Sequence, residues 1–304
     1  MKLKIATRTS QLALVQTRQI IHELQKKQPS LTIEIVEVLT TGDQIQDRSL
    51  AELGGKGLFV KGLEEKLLAD VADIAMHSLK DVPPQLDDAF CIAAVLKRQS
   101  PHDAFVSEKY DSIAALPPGA IIGSSSVRRK AALLHLRPDL DIRILRGNVD
   151  TRLKKLQAQQ FDALILAEAG LKRLGLETHI KEVLSIEAFP PSVGQGIIAI
   201  ECLQKRTELI PLLQSINDEK TFIEMQAERA LMRALGASCT SPVGCFATIN
   251  KDTLHLMGVV WSPDGTQRIQ TEQIGAIEDM EQIGTLAARD LIQQGAIQLL
   301  KLNG

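Results

Sequence analysis

Strand-like and helix-like patterns alternate along the first part of the chain. Short apolar runs of the kind that form buried strands lie at residues 4–6, 31–38, 74–76 and 91–95. Amphipathic stripes with helical spacing lie between them, one from Ser10 to Leu24 and one at residues 58–68. This order predicts an α/β lobe. The Gly- and Thr-rich stretch at 40–57 predicts a loop long enough to act as a lid.

A second unit of the same kind follows after the apolar pattern lapses at residues 99–103. Its predicted strands and helices lie at 120–122, 127–136, 142–145, 149–159 and 163–167. A Pro- and Gly-rich stretch at 190–196 then leads into another predicted strand at 197–200. We expect the two interruptions to be crossings between two lobes, and such crossings are good hinges.

The pattern changes again towards the C-terminus. An amphipathic helix is predicted at 221–235, and three strand-like runs and two helices follow at 246–249, 254–260, 268–273, 286–292 and 297–302. Strands packed beside helices without strict alternation are typical of a small α+β domain. The predicted fold class is therefore α/β, with two lobes and a small α+β C-terminal domain.

Length and composition fit a soluble globular protein of more than one domain. The chain has 304 residues, of which 44% are hydrophobic and 24% charged, and its net charge is −2. Because it lacks a basic field and has only 3% aromatic residues, nucleic acid is not an expected partner. The first residues lack the apolar core of a signal peptide, and no apolar run approaches the roughly 20 residues that cross a bilayer. We therefore expect no membrane and a cytoplasmic location.

Polar side chains follow the apolar run at residues 74–76, where a strand is predicted to end. They are His77, Ser78, Lys80 and Asp81. The next residues include Pro83 and Pro84, which forbid continuation as a helix or a central strand. Ligands bind at strand ends in open α/β sheets, and Asp81 beside Lys80 can pair with a cation that forms during a reaction. A strand end with a solvated turn is the alternative.

Cations recur at the predicted starts of four helices. They are Arg8 near Ser10, Lys56 in a glycine-rich stretch, Arg128 and Arg129 after Ser126, and Arg146 followed by Arg152. Backbone N–H groups at a helix start form a ready anion site, and the arginine fork suits carboxylate or phosphate. A cation at a helix start is unfavourable because the helix dipole is positive there. Four such cations therefore favour a polyanionic ligand that offsets this cost. Four unrelated surface cations are the alternative.

The cysteines are sparse, as is typical of a reducing compartment. Cys239 lies in a turn-rich stretch of small polar residues, so its thiol should be more accessible than those of Cys91 and Cys202 in apolar runs. The spacing of Cys239 and Cys245 is not a zinc pattern, and no histidine pair stands at ligand spacing, so no metal site is expected. An ordinary loop thiol is the alternative for Cys239.

Several of these segments, in this order and at this spacing, resemble the porphobilinogen deaminase family. The resemblance runs from about residue 3 to near the C-terminus. It rests on the Cys239 loop and on IATRTS at 5–10, GGKGLFVK at 54–61, HSLKDVP at 77–83, SSSVRR at 124–129, LRGNVDTR at 145–152, AGLKRLG at 169–175 and VGQG at 193–196. Each segment alone is weak evidence for this family. All of them together, in this order and at this spacing, are specific to it. One departure is that Ala237 and Ser238 precede the cysteine, where the family often has two glycines.

The resemblance implies a fold of three domains. Two are α/β lobes like those of periplasmic binding proteins. Residues 1–97 together with 193–217 form the first lobe, and residues 98–192 form the second. Residues 218–304 form the third domain, which is α+β and carries the cofactor cysteine, Cys239.

The resemblance also implies a reaction. Four porphobilinogen molecules are joined head to tail with loss of four ammonia, and hydrolysis releases hydroxymethylbilane. The growing chain is primed by a dipyrromethane cofactor, which the resemblance places in thioether linkage on Cys239. The implied partner is the small molecule porphobilinogen, and the family suggests a monomer.

Roles for the residues singled out above follow from the same resemblance. Asp81 is the implied catalytic residue, because loss of ammonia gives an electron-poor azafulvene and positive charge develops around pyrrole nitrogens. The implied cofactor-binding residues are Cys239, Lys80, Ser126, Arg128, Arg129, Arg146 and Asp81. The implied substrate-binding residues are Arg8, Ser10, Arg146, Arg152, Lys56 and Phe59. The acetate and propionate of each pyrrole make both ligands polyanions, which these cations suit.

Two other functions stay open at this point. A two-lobed binding protein for a small anion would share the lobes and the cations. It would not place the Asp81 carboxylate among those cations, however, and no export signal is evident. Another transferase could use Cys239 as a transient nucleophile, but the local sequence supplies no general base for it.

Overall fold

The protein is described here by a computed structural model that covers residues 2–44 and 57–301. The elements before the first crossing are β1 (Lys2–Arg8), α1 (Gln11–Lys27), β2 (Thr32–Val38), α2 (Thr41–Gln44), α3 (Lys61–Leu68), β3 (Ile74–Ser78) and β4 (Phe90–Val95). The loop predicted at 40–57 begins with the short helix α2, and most of it lies outside the described residues. The predicted start of the next helix at residue 58 is replaced by a turn, and α3 begins at Lys61.

The later elements follow in chain order. Between the crossings lie β5 (Asp103–Val106), β6 (Ile121–Gly123), α4 (Val127–Leu136), β7 (Asp141–Arg143), α5 (Val149–Gln157), β8 (Ala163–Ala167), α6 (Glu168–Arg173) and β9 (Ile180–Val183). Beyond the second crossing lie β10 (Ile198–Leu203), α7 (Ile210–Gln214), α8 (Glu219–Leu235), β11 (Val243–Asn250), β12 (Thr253–Trp261), β13 (Arg268–Ala276), α9 (Met280–Gln293) and α10 (Ala296–Lys301). No helix among them, or earlier in the described ranges, is both long and apolar enough to cross a membrane.

The first lobe is built on a sheet with the strand order β2-β1-β3-β10-β4. Strands β1, β2 and β3 run parallel, and β10 enters antiparallel between β3 and β4. Alternation along β1 buries Leu3 and Ile5 in the core beneath α1, and Ala6 in the core beneath α3 with Leu63 and Leu67. Because helices cover both faces, β1 and β3 are largely apolar and their carboxyl ends meet at one open edge.

The second lobe repeats this topology, with the strand order β7-β6-β8-β5-β9. Here β5 is the antiparallel strand, and it begins at Asp103, directly after the first crossing. Strand β10 likewise follows the second crossing and joins the first sheet. Each lobe therefore takes one central strand from chain that has just arrived from the other lobe.

The third unit is an antiparallel sheet, β11-β12-β13, packed against α8 and α9. Leu231 of α8 and Leu291 of α9 share its core with Leu256 of β12. On β12, Val259 and Trp261 instead join the core of the second lobe, so this unit is packed firmly against that lobe. Two α/β lobes and a small α+β unit are the fold class that the sequence pattern predicts.

The two crossings run side by side, and α8 holds them. The N–H of Gln99 in the first crossing donates to the carbonyl of Gly196 in the second, at 3.2 Å. Glu228 of α8 is fully buried and accepts hydrogen bonds from the N–H of Gly194 at 2.7 Å and from the guanidinium of Arg98 at 2.8 Å. One buried carboxylate of the third unit thus binds both crossings.

Candidate active site

Backbone hydrogen bonds and close packing hold the polar turn that follows β3. The chain forms one turn of 3₁₀ helix, Leu79–Asp81, where β3 ends. The N–H of Leu79 donates to the carbonyl of Ile197 at 3.0 Å. A Cβ on Gly194, whose φ is +70°, would lie only 2.7 Å from the buried Leu79 side chain. Gly194 is therefore needed for its conformation and for its lack of a side chain, and the turn presents Asp81 at the open edge of the sheet.

The other polar residues of the motif differ in their surroundings. His77 is buried, with its Nε2 atom 2.8 Å from the Oε2 atom of Glu201 in the neighbouring strand. The hydroxyl of Ser78 and the side-chain amide of Gln16 exchange hydrogen bonds of 2.9 and 3.0 Å. These two residues stabilise the lobe, which leaves Lys80 and Asp81 as the candidate ligand-binding residues of the motif.

Asp81 lies beside Arg8, because the parallel neighbours β1 and β3 end at the same edge. The Nη1 atom of Arg8 is 3.6 Å from the Oδ2 atom of Asp81, and both side chains are partly exposed. The guanidinium of Arg8 lies over the ring of Phe59, 4.1 Å from its centroid, which is within the range of a cation–π interaction. Of the implied substrate-binding residues Phe59 and Lys56, Phe59 therefore contacts the site, and Lys56 lies outside the described residues.

Arg128 and Arg129, at the start of α4, share one buried counter-charge. Arg128 donates to the Oδ2 atom of Asp103 at 2.6 Å, and Arg129 donates to its Oδ1 atom at 2.7 Å. The amide of Gln195 adds a third donor to Asp103 at 3.0 Å. Burial raises the pKa of Asp103, but attraction to Arg128 and Arg129 outweighs it and holds that pKa well below its usual value. Two guanidinium groups against one carboxylate still leave an excess of positive charge.

Asp103 and Gln195 are site residues that sequence reasoning did not single out. The pattern placed Asp103 at the end of a crossing rather than at the start of a strand. A signal was present, because two adjacent arginines on the buried side of a helix need a counter-charge. Asp103 is an acid that directly borders an apolar run of strand length, Ala104 to Val106. Gln195 was noted only as part of a motif, and nothing local indicated its contact with Asp103.

Two of the predicted site serines are helix caps. The Ser10 hydroxyl accepts a hydrogen bond from the N–H of Ala13 at the start of α1, at 3.3 Å. The Ser126 hydroxyl does the same for the N–H of Arg129 at the start of α4, at 3.3 Å. A capping hydroxyl accepts through its oxygen and keeps its own proton, so it can still donate to an anion.

Lys80 and Arg152 are cations that neighbouring arginines repel and that Asp81 attracts. Burial lowers the pKa of Lys80 to about 8, and repulsion from Arg129 adds to the shift while Asp81 opposes it. Burial also lowers the pKa of Arg152 to about 10, helped by repulsion from Arg129 and Arg146. The attraction of Asp81 for Arg152 shows that groups from the two lobes lie close together. These side chains therefore share one electropositive cleft.

Cys239 lies on the loop that follows α8, and its side chain is exposed. Gly236, at φ +63°, ends the helix in the left-handed conformation typical of a C-terminal glycine and directs the chain into this loop. The surrounding protein raises the pKa of the Cys239 thiol, and the negative charge of Asp81 raises it further. The thiol of the third unit and the carboxylate of the first lobe therefore lie within electrostatic reach of each other. Of the remaining cysteines, Cys202 and Cys245 are buried and Cys91 is half-buried.

Among the residues that the structure describes, the cleft thus combines the Cys239 thiol with an excess of positive charge. Its cations are Arg8, Lys80, Arg128, Arg129, Arg146 and Arg152, and the carboxylates that act on them are Asp81 and Asp103. Several cations of this kind suit a ligand that carries several carboxylates. Within the described ranges, no cluster of three His, Cys, Asp or Glu residues could hold a metal ion.

Two family models match the chain over nearly its whole length. The model described as porphobilinogen deaminase, dipyromethane cofactor binding domain, matches residues 3–211, and the model described as porphobilinogen deaminase, C-terminal domain, matches residues 222–293. The chain belongs to the porphobilinogen deaminase family. It is a transferase of tetrapyrrole biosynthesis, on the route to porphyrins and haem, which polymerises porphobilinogen to hydroxymethylbilane on a dipyrromethane cofactor. Membership of this family decides against the two other functions that the sequence left open.

Several solved structures are similar to part of the chain. Immunogenic lipoprotein A from Vibrio vulnificus is 13% identical, with a TM-score of 0.46 over 72% of this chain and 96% of that chain. A nutrient binding protein from Burkholderia cenocepacia bound to methionine is 16% identical, with a TM-score of 0.45 over 73% and 95%. A lipoprotein of the YaeC family from Enterococcus faecalis is 15% identical, with a TM-score of 0.43 over 78% and 98%. Similarity at this level says nothing about what this chain binds.

Proposed function

We propose that Cys239 and Asp81 are the two central groups of this active site. In this proposal Cys239 carries the dipyrromethane cofactor as a thioether, and Asp81 acts on the porphobilinogen being added. The observation that carries the proposal is that α8, which leads into the exposed Cys239, is hydrogen-bonded through Arg229 to the carbonyls of Pro83 and Pro84 just after Asp81, although Cys239 and Asp81 belong to different units of the fold. The negative charge of Asp81 accordingly raises the pKa of the Cys239 thiol. A reaction between a covalently held primer and an incoming molecule needs its anchor and its charged group in one cleft.

The residues of the cleft fit a dipyrromethane. Its acetate and propionate groups need several cations, and among the described residues the cleft brings together six cations with the carboxylates of Asp81 and Asp103. Burial and repulsion lower the pKa values of Lys80 and Arg152, so a bound anion would relieve an electrostatic cost in the protein. The residues that would hold the cofactor are Cys239, Lys80, Ser126, Arg128, Arg129, Arg146 and Asp81. When bound, the cofactor supplies the pyrrole carbon to which porphobilinogen units are added.

The remaining cations suit the carboxylates of the incoming porphobilinogen. The residues proposed for this role are Arg8, Ser10, Arg146, Arg152, Phe59 and Lys56. The contact between Phe59 and Arg8 supports it, because the ring shields one face of a cation that lies beside Asp81. Each charge-assisted hydrogen bond to a substrate carboxylate would contribute on the order of 1.5–3 kcal/mol.

Asp81 supplies the negative charge that the reaction requires. When porphobilinogen loses its aminomethyl nitrogen as ammonia, its ring becomes electron-poor and positive charge develops on the pyrrole nitrogen. A preorganised carboxylate at that nitrogen stabilises the charge. The same carboxylate can accept the proton that is released as the new carbon–carbon bond forms. Arg8, 3.6 Å away, orients Asp81 without burying it.

We further propose that the protein acts as a cytoplasmic monomer, without nucleic acid or membrane. All residues assigned to the site come from one chain, so a second copy is not needed to complete it. Sparse cysteine usage supports a reducing compartment. The three sheets support domain boundaries of 1–97 with 193–217, 98–192, and 218–304, because each sheet lies within one of these units.

The intact mass of the denatured protein tests the anchor. We expect the mass to exceed that of the chain by two linked porphobilinogen-derived units, and we expect Cys239→Ser to show the mass of the unmodified chain. Cys245→Ser is the matched control, because Cys245 is buried nearby in sequence and should leave the added mass unchanged. If the wild-type mass is unmodified, porphobilinogen is added and the measurement repeated. A chain that remains unmodified, or an adduct that persists in Cys239→Ser, would contradict the proposal.

A further inference from the structure

Arg229 of α8 is a buried cation that contacts the turn after Asp81. Its Nη2 atom donates to the carbonyl of Pro83 at 2.8 Å and to that of Pro84 at 3.0 Å. Burial lowers the pKa of Arg229 to about 10, repulsion from Arg233 adds to the shift, and attraction to Glu201 and Glu281 opposes it. No carboxylate in the described part of the chain lies within ion-pair distance of Arg229. A desolvated charge is costly unless it is well hydrogen-bonded. The contact with these two carbonyls therefore accounts for this arginine better than charge pairing does.

These hydrogen bonds complete the attachment of the Asp81 turn at its far end. The near end is fixed by the bond from the N–H of Leu79 to the carbonyl of Ile197. At the far end, Pro83 and Pro84 have no N–H, so their carbonyls are the hydrogen-bonding groups they offer. With both ends held, the backbone that carries Asp81 has little freedom to move.

The residue before Arg229 on α8 holds the same region from the other side. Glu228 accepts the N–H of Gly194, which packs directly against Leu79 at the start of the turn. Two consecutive residues of one helix therefore hold both the second crossing and the Asp81 turn. The same helix ends at Gly236 and leads into the loop of Cys239. Helix α8 is thus a rigid link between the carboxylate and the thiol.

We propose that Arg229 is a positioning residue that sets the place of Asp81 relative to Cys239. The proposal rests on the function assigned above to those two residues. Arg229 contacts neither substrate nor cofactor in this proposal and acts only through the Pro83–Pro84 carbonyls. A displacement of about 1 Å at a reacting group can lower a rate about 100-fold, so loss of this link should slow the reaction without weakening binding.

Steady-state kinetics with porphobilinogen, normalised to cofactor-loaded protein by intact mass, give the first test. We expect Arg229→Ala to lower kcat about 10-fold or more while KM stays within about twofold, because the carboxylate-binding cations are untouched. Arg233→Ala is the matched control, since it removes the same charge one turn later, where Arg233 pairs with exposed Glu281. We expect this control to behave like the wild type. Equal kcat values for all three proteins would overturn the proposal.

Recovery of kcat in an Arg229→Lys variant would distinguish a positioning role of Arg229 from a general structural role. Because one nitrogen of Arg229 serves both carbonyls, a single ammonium group can replace it. We therefore expect Arg229→Lys to recover kcat to within about threefold of the wild type, and Arg229→Gln, with a shorter side chain, to stay slow. If Arg229→Ala does not fold, the comparison of kcat between Arg229→Lys and Arg229→Gln replaces it as the test. A glutamine variant as fast as the lysine variant would then argue against positioning.

A double-mutant cycle tests whether Arg229 acts through Asp81. In an Asp81→Asn background, Arg229→Ala should produce little further loss of kcat, because the group that it positions is already disabled. A second full loss would show that Arg229 acts independently of Asp81 and would overturn the proposal. Wild-type turnover in Asp81→Asn alone would instead refute the proposed function of Asp81, so the two failures are distinguishable.

Hydrogen exchange provides a measurement that does not depend on activity. In the full chain with Cys239→Ser, which carries no cofactor in this proposal, the N–H groups of Leu79 and Val82 are hydrogen-bonded within the turn region. We expect Arg229→Ala to speed their exchange several-fold, and Arg233→Ala to leave it unchanged. Unchanged exchange in Arg229→Ala would show that the turn holds its place without this residue.

Discussion

At the scale of single residues, the cleft is costly to maintain without a ligand. The side chain of Lys80 is partly buried, and Arg128 and Arg129 lie close enough to repel its charge. Asp81 and Asp103 offset only part of this cost. Groups held in an unfavourable protonation environment are typical of binding and catalytic sites, where the ligand supplies the missing charge. The lowered pKa of Lys80 therefore reflects how strongly the cleft disfavours positive charge at this position.

Replacing Lys80 by methionine should stabilise the cofactor-free protein in a pH-dependent way. Below about pH 8 folded Lys80 carries its charge at a cost, so we expect Lys80→Met to be the more stable protein at pH 7. Between about pH 8 and the ordinary lysine pKa of about 10.4, the unfolded chain binds more protons than the folded one, so the stability of the parent rises with pH. The advantage of Lys80→Met should therefore shrink across this interval.

Chemical denaturation of the Cys239→Ser chain at pH 7 and pH 10 gives this comparison. Lys130→Met, on the exposed side of α4, is the control for loss of a lysine side chain. Because only the difference between variant and parent is used, other groups that titrate in this range cancel. A variant less stable than its parent at pH 7, or a difference that does not change with pH, would contradict the prediction.

At the scale of helices and strands, the hydrophobic periodicity of the sequence predicted the long elements. It could not predict which elements contact each other. Helix α4 begins and ends where its apolar stripe predicts, and β8 matches its apolar run. The short elements β5, β9, α6 and α7 were not predicted, because four to six residues are too few to display a period. The same limit hid the contact of Asp103 with Arg128 and Arg129. That contact depends on β5 lying in the second sheet beside β8, which only tertiary structure shows.

The candidate site shows the same difference between what local sequence predicts and what only the fold shows. The HSLKDVP motif and the Cys239 loop could be located from residue type and order, since each follows a recognisable element. Their mutual proximity could not be predicted from local pattern, because it depends on how α8 packs on the first lobe. Arg229 shows this limit well. In sequence it is one more cation on an amphipathic helix, and only the fold brings it to the carbonyls of Pro83 and Pro84.

Asp103→Asn should destabilise the second lobe severely. The substitution keeps the shape of the side chain but leaves the buried guanidinium groups of Arg128 and Arg129 without their counter-charge. Breaking a buried ion pair by removing one partner typically costs about 3–5 kcal/mol. Asp139→Asn is the matched control, because Asp139 pairs with Arg137 at the surface, where such a pair contributes about 0–1 kcal/mol. Urea denaturation of both variants measures the difference, and equal losses would mean that Asp103 is not the main counter-charge.

At the scale of the whole molecule, the site is assembled from all three units. Asp81 and Lys80 come from the first lobe, and Cys239 comes from the third unit. The second lobe supplies Arg128, Arg129, Arg146 and Arg152. Their alignment depends on the two crossings, which lead into β5 and β10 and are both held by Glu228 of α8. A small shift where the crossings touch would therefore displace the two lobes and the thiol together.

Gly196→Ala should show how closely the site depends on this contact. Gly196 has a φ of +87°, and a Cβ there would lie 2.6 Å from the carbonyl oxygen of Gln99 and 2.7 Å from that of Ser100. These are backbone atoms of the other crossing, so the clash cannot be relieved by a side chain moving aside. The two crossings would have to separate. We expect a lower unfolding temperature and a lower kcat per cofactor-loaded molecule.

Gly119→Ala is the control that isolates this clash. Gly119 has a φ of +75°, but a Cβ there would have nothing within 4 Å, so it carries the conformational cost of about 1–2 kcal/mol without the clash. For a protein of this size we expect its unfolding temperature to fall by only a few degrees, with kcat per loaded molecule unchanged. Equal effects of the two alanines on kcat would mean that the contact between the crossings does not set the geometry of the site. A loss of kcat confined to Gly196→Ala would show that the crossings align the lobes, because the two variants share every other consequence of the substitution.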